Sequence, residues 1–284
     1  MGRGFRRTRV TVLAALLAGA VVVSLLLTRQ GESATPRGPN ALLVHRTDAA
    51  RLLLAADDGV FESLDSGRSW RRSGLEGNVV AALARVKDGT VWAGGTGFLA
   101  RSSDGGRSWA GVRPPGLPSL DVRALSASRD VGQRLEAAVE GEGLFRSNDG
   151  GKTFAKLGLS QTGSDAFALV ETVDGVIFVS DRRLGVAVNG DGDGADWIEV
   201  LDEPVLAIAP NYSDRHNALL LAATRGGLLR TTDKGLTWDE VLPLRSGAAG
   251  VAFSQSRVEL AFAVAGDGTM FRSDDFGATW APVD

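Results

Sequence analysis

Aspartates recur along this chain at a spacing that invites a chemical reading. Asp65, Asp104, Asp149, Asp233 and Asp275 each stand in a peptide of the form [ST]-x-D-x-G-x-[ST]-[WF]: FESLDSGRSW (61–70), ARSSDGGRSW (100–109), FRSNDGGKTF (145–154), LRTTDKGLTW (229–238) and FRSDDFGATW (271–280). Carboxylates could bind calcium, but that ion takes about six to eight oxygens and each peptide supplies one recurring carboxylate. Two carboxylates could cleave a glycosidic bond if held roughly 5 or 9 Å apart, a separation that sequence spacing does not establish. The stretch GDGDGAD (190–196) resembles the start of a calcium loop yet lacks the closing Glu. Tyr212 is the chain's one tyrosine, and the two histidines, His45 and His216, stand on different segments without a partner at metal-ligand spacing. There is no nucleophile elbow, phosphate loop or zinc motif, and no cysteine. No catalytic residue, metal site or cofactor is therefore expected.

The repeat points to architecture. The aspartates are separated by 39, 45, 84 and 42 residues, and the double gap places a worn copy at VAVNGDGDGADW (186–197), with Asp191 in the aspartate position. Five of six tryptophans close a copy (Trp70, Trp109, Trp197, Trp238, Trp280), and Phe154 closes the remaining one. Two apolar runs of four to seven residues, bounded by Gly, Asp and Ser, precede each copy, as in VVAALAR and TVWAGG before the copy at 100–109. The peptide itself adds a third strand and a turn, and its aromatic leads into a fourth strand such as WDEVL. Four short strands in each repeat of about 40 residues is the pattern of a propeller blade. The expected fold class is all-β, a six-bladed β-propeller of four-stranded antiparallel blades over residues 40–284. The blades fall near 40–75, 76–116, 117–160, 161–201, 202–243 and 244–284.

The recurring peptide has a local physical reading. Its Asp can accept a hydrogen bond from a backbone N–H two residues on, and the following Gly (Gly67, Gly106, Gly151, Gly235, Gly277) suits a positive φ. These residues resemble the Asp-box, or BNR, repeat of sialidases, sortilin-type receptors and photosystem II assembly factors. The resemblance spans all six copies, and it implies that Asp65, Asp104, Asp149, Asp191, Asp233 and Asp275 are structural and lie away from the ligand face. A sialidase would further need three arginines, a Tyr–Glu pair and an Asp. The register instead puts Tyr212 in a turn on the box side, and the family's Arg-Ile-Pro triplet is missing.

Candidate binding residues then fall on the opposite face, in the turns between second and third strands. They are Asp57, Asp58, Glu140, Glu142, Asp181, Arg182, Arg183, Arg225 and Asp267. Loops held on a rigid scaffold are where recognition tends to sit. The Pro-rich link VRPPGLPSLD (112–121) joins them there.

The N-terminus reads as a membrane address. MGRGFRRTR carries four arginines and no acid, followed by eighteen uncharged residues, 10–27. A signal anchor or transmembrane helix is expected over 1–28 and a polar linker over 29–39, with the basic flank cytoplasmic and the propeller extracytoplasmic. Secretion after cleavage is the alternative. Removing the five arginines of residues 1–29 leaves 26 basic groups against 34 acidic ones, a net of −8, which disfavours nucleic-acid binding. The functional expectation is a membrane-anchored, monomeric propeller that binds a protein or carbohydrate partner, as a binding or assembly module. A glycoside hydrolase, sialidase-like or otherwise, is the alternative.

Overall fold

The computed structural model describes residues 33–128, 132–157, 166–172, 175–181, 185–189, 198–201, 203–214 and 218–284, without the side chains of 181, 185–189 and 198–199. The expected N-terminal helix and the worn box with Asp191 lie outside the described residues, as do Arg182, Arg183 and His216. Ala34–Asp284 is a compact unit by itself.

Six four-stranded antiparallel sheets follow one another along the chain. The first holds β1 (Pro39–Val44), β2 (Leu52–Ala56), β3 (Gly59–Ser63) and β4 (Arg71–Gly74); the second holds β5 (Val80–Arg85), β6 (Val91–Gly95), β7 (Phe98–Ser102) and β8 (Ala110–Gly111). The third holds β9 (Val122–Ala127), β10 (Leu135–Val139), β11 (Gly143–Ser147) and β12 (Ala155–Lys156); the fourth holds β13 (Ala166–Glu171), β14 (Ile177–Asp181), β15 (Gly185–Asn189) and β16 (Ile198–Leu201). The fifth holds β17 (Val205–Pro210), β18 (Leu220–Thr224), β19 (Gly227–Thr231) and β20 (Asp239–Pro243); the sixth holds β21 (Ala248–Phe253), β22 (Ala261–Ala265), β23 (Met270–Ser273) and β24 (Ala281–Pro282). The first strands pack against one another in the order β1, β5, β9, β13, β17, β21, and β21 returns to β1. This is a propeller of four-stranded antiparallel blades. No blade borrows a strand from another, so side chains close the ring.

The core is correspondingly divided. The buried apolar residues form clusters that each span two neighbouring blades. Leu42, Leu54, Phe61 and Trp70 meet Phe262, Val264 and Met270 across the closure, and Trp92, Leu99, Leu135 and Phe154 fill the second interface of this kind, between blades 2 and 3. Second strands are buried throughout because both of their faces meet a neighbouring blade. Fourth strands are short and exposed, only two residues long in β8, β12 and β24, because they form the outer edge.

The box turns attach each blade to the one before it. In blade 3, buried Ser147 donates to Asp149 Oδ1 (2.7 Å), and its own Oγ accepts from Gly151 N (2.8 Å). Asp149 in turn accepts from Lys152 N and Thr153 N (2.9 Å each) and from Thr153 Oγ1 (2.6 Å). The carboxylate thus reaches three and four residues forward, where the sequence reading had it reach two. The same pattern holds at Asp65, Asp104, Asp233 and Asp275 through Ser69, Ser108, Thr237 and Thr279. Because these bonds favour the charged form, all five carboxyls sit below their usual range, Asp233 and Asp275 at about 2, with the Thr237 and Thr279 hydroxyls as the largest causes.

The turn places Gly151 at φ 86° with a Cβ position 2.3 Å from Trp92 of blade 2, leaving no room for a side chain. Gly106 likewise faces Leu53 of blade 1. The box aromatics pack the same way: Trp109 Nε1 donates to Ser73 O of blade 1 (2.9 Å), and Phe154 joins the cluster of blade 2. The residue before each box glycine is also left-handed, at Ser66, Gly105, Gly150, Lys234 and Phe276, a feature the sequence pattern did not disclose because only two of the five are glycine.

Gly151→Ala is expected to cost about 3 kcal/mol, combining overpacking with a left-handed alanine. Asp149→Ala, which removes bonds only within the turn, should cost about 1–2 kcal/mol. Urea unfolding of the two variants measures both; equal costs would contradict the assignment of the glycine to the blade interface.

Candidate functional site

The six first strands enclose an axial channel with a cavity at each end. The box-side cavity, about 140 Å³, is walled by Val44, Arg85, Ser126, Val170, Pro210, Phe253 and their neighbours, with Tyr212 and Gln255 at its mouth. The other, about 90 Å³, is walled by Asn40, Arg123, Phe167, Leu206 and small apolar residues. No Asp or Glu is among the residues lining either cavity. No cluster of metal-ligating side chains occurs among the described residues.

The principal charged group in the box-side cavity is Arg85, at the end of β5. One of its donors is used, with Nη1 bonded to Val44 O (2.7 Å). No carboxylate among the described residues pairs with it. Burial, then the nearby cations Arg51 and Arg46, push its pKa down to about 10, still cationic at neutral pH. His45 beside it is lowered as well, by burial first and then by Arg85 and Arg51, so its neutral form is favoured. The remaining guanidinium donors can hold a carboxylate or phosphate oxygen in a wall that is otherwise apolar apart from Ser126, Tyr212 and Gln255.

Among the described residues, those expected in the turns opposite the boxes are mostly held by local partners. Asp57 accepts from Asn40 Nδ2 (3.0 Å), and Asp58 pairs with Arg72 (2.8 Å) and accepts from Arg37 N (3.3 Å). Glu140 pairs with Arg123 at the channel mouth. Asp267 accepts from Thr269 N (3.0 Å) and closes its own hairpin. Glu142 is exposed on the β10–β11 turn, and Arg225 lies on the β18–β19 turn. Asp181 ends β14, its backbone paired with Ala166 and Gly185. Tyr212, on the box side, and Arg225 stand at opposite ends of blade 5, so they cannot join in one tyrosine-nucleophile site.

One polar cluster was missed altogether. Between blades 3 and 4, Glu136 and Glu171 are each 1% exposed and interact with one another. Arg146 donates to Glu136 (3.1 Å) and Arg134 to Glu171 (2.6 Å), while Glu136 Oε2, Glu171 Oε2, Arg134 Nε and Arg146 Nη2 have no partner. Glu136 occupies the position held by Leu53, Trp92 and Leu221 in other blades, and that break in the apolar pattern was the available signal. Burial, then the hydrogen bond and charge of Glu171, raise the Glu136 pKa well above the ordinary range.

The comparisons settle the fold. YCF48 from Cyanidioschyzon merolae superposes with a TM-score of 0.52 at 21% identity, covering 89% of this chain and 86% of that one. The likeness shows the β-propeller fold. The GH74 xyloglucanase of Xanthomonas campestris gives a TM-score of 0.63 at 18% identity over 90% of this chain and 46% of the enzyme. In sequence, the chain is 25% identical to a xyloglucanase of Hypocrea jecorina (strain QM6a), over 84% of its own length and 36% of the enzyme's. The chain thus spans about a third of the curated relative it matches. No family model matches.

Because the folded-state pKa of Glu136 is raised, the stability it contributes is present below its unfolded pKa, near 4.3, and is lost as pH rises through the folded value. Glu136→Gln, which imitates the neutral acid, should therefore raise the melting temperature at pH 8 relative to wild type and leave it little changed at pH 4. A thermal scan across that range checks this; a loss at pH 8 would mean that the charged form is the one the fold favours.

Proposed function

We propose that this chain is a membrane-anchored, extracytoplasmic propeller of six blades that binds a protein partner and turns over no substrate. The observation that carries the binding reading is Arg85: a guanidinium bonded through Nη1 to Val44 O, held in a largely apolar axial cavity with no carboxylate partner among the described residues. Such a group pays for its burial only when an anionic group arrives, so the partner presents a carboxylate, a chain terminus or an acidic side chain, to the box-side mouth. Relative size favours the same reading. The chain matches most of YCF48, one structure of which is bound to D1 peptide, but under half of each xyloglucanase. The turns opposite the boxes, with Glu142 and Arg225 exposed, offer a second, more polar contact surface.

The anchor reading is supported by the uncharged run 10–27 behind four arginines. No helix among the described residues is long and apolar enough to cross a membrane, and the run lies outside them. Hydrolysis is the second reading, and the sequence match to a xyloglucanase favours testing it first on xyloglucan.

Arg85→Ala should weaken capture of the partner from solubilised membranes by about tenfold or more, the scale of a lost charge-assisted bond. Arg85→Lys should retain part of it. Unchanged capture by both variants would remove the axial site.

Purified full-length protein should release no reducing ends from xyloglucan and no sialic acid from a fluorogenic sialoside. Full-length protein should also stay with membranes through carbonate extraction, whereas residues 35–284 should be soluble. Turnover that co-purifies with the wild-type chain would place it among the hydrolases, and a mature terminus near Ala20 or Ala34 by mass spectrometry would mean secretion.

A further inference from the structure

We propose that the box rim of blades 5, 6 and 1 rests on a lipid bilayer, with Leu236, Phe276 and Leu64 inserted at the headgroup boundary. This rests on the anchored reading above and adds an orientation to it. Four large apolar side chains are exposed among the described residues: Leu64 (52%), Val79 (46%), Leu236 (79%) and Phe276 (40%). Three of the four sit on box turns, and the blades that carry them adjoin in the ring across its closure. Blades 2 and 3 have polar or small residues at the same box positions: Ser103 and Asn148 for Leu64, Arg107 and Lys152 for Leu236, Gly105 and Gly150 for Phe276. The fold therefore does not require an apolar residue at any of them.

Phe276 is the sharpest case. It holds φ 61°, a left-handed conformation costly for a bulky side chain, where two sister turns use glycine. It spends that strain on an aromatic ring that joins none of the buried clusters. Strain retained without a packing return points to a surface role.

The route of the chain identifies the occupant. Ala34 N donates to Trp70 O (2.8 Å), beside the aromatic that closes the first box, so the chain joins the propeller on this rim. Six residues separate Leu27, the last of the apolar run, from Ala34. Even fully extended they reach only about 20 Å. A run that spans the bilayer would keep residue 34 within that reach of the membrane surface. Arg68, which already donates to Asp284 O (2.6 Å), and Lys234 lie on the same turns. The box carboxylates bind groups within their own turns.

The chain has no cysteine, so single cysteines can report position. Leu64→Cys, Leu236→Cys and Phe276→Cys, with Thr96→Cys and Glu142→Cys on the opposite face, would carry an environment-sensitive fluorophore. The labelled chains are placed on vesicles of phosphatidylcholine with a minority of phosphatidylglycerol. One arm uses the full chain. The other uses the compact unit Ala34–Asp284 held to nickel-chelating lipid by a histidine tag ahead of Ala34. Labels at 64, 236 and 276 should be blue-shifted and quenched by iodide several-fold less than those at 96 and 142, in both arms. Adding Leu64→Ser and Phe276→Ser should return the label at 236 to full quenching.

Equal quenching on both faces overturns the proposal. So does shielding at 236 that survives the serine changes, which would reflect nearness of the tether alone. If the full chain fails to float without a tag while the tethered unit is shielded, the anchor reading falls and the lipid-facing rim stands.

Discussion

The structure depends on one contact repeated around the ring: the box turn of a blade pressed against the blade before it, onto the second strand at Gly106, Gly151 and Gly277 and onto Met270 and Val200 at Gly67 and Gly235. A propeller without a shared strand has no backbone ladder between blades, so their attachment must come from side chains and turns. The Ser–Asp network draws the chain through two left-handed residues, which lets a glycine approach its neighbour without a Cβ and aims the aromatic across the same interface. The division of the core into clusters shared by pairs of blades follows directly. So does the burial of second strands, which are enclosed from both sides.

That economy explains why the ionisable residues are distributed as they are. Box carboxylates are spent on turn closure and hold their charge well below neutral pH. Acids of the opposite turns are largely spent on Asn40, Arg72 and Arg123. Apart from the buried pairing of Glu62 with Arg51 and Arg71, two groups among the described residues stand outside this pattern. Arg85 is a cation in a largely apolar wall with no countercharge among the described residues, and the Glu136–Glu171 pair brings two acids together where the same second-strand position is aliphatic or aromatic in other blades. The first is open to the channel and suits a ligand. The second is sealed, and it makes the joint between blades 3 and 4 depend on protonation.

How legible these features were depended on whether they repeated. The blade pattern could be read because each strand and turn is restated along the chain, and agreement among copies overcomes the ambiguity of any single apolar run. Tyr212 could be assigned to the box side from register alone. Arg85 could not be singled out, since Val44, Ala127, Glu171, Pro210 and Phe253 hold the equivalent strand ends and no pattern marks one of six. Of the residues chosen on the opposite face, Asp57, Asp58, Glu140, Glu142, Arg225 and Asp267 lie in the expected turns, yet partners such as Arg72 and Arg123 come from other strands, which register does not reveal.

The sequence by itself determined the repeat, the strand content, the turn chemistry of the boxes and the charge of the domain, because all of these rest on spacing and residue type within about forty positions. Only the tertiary structure decided what the boxes touch, which side chains face the axis and which charges are left without a partner. Those are distances between blades, set by how the sheets pack around a closed ring. The exposed Leu64, Leu236 and Phe276 show the boundary well. Each is an unremarkable substitution within its own box, and they become a common rim only when the ring brings blade 6 back against blade 1.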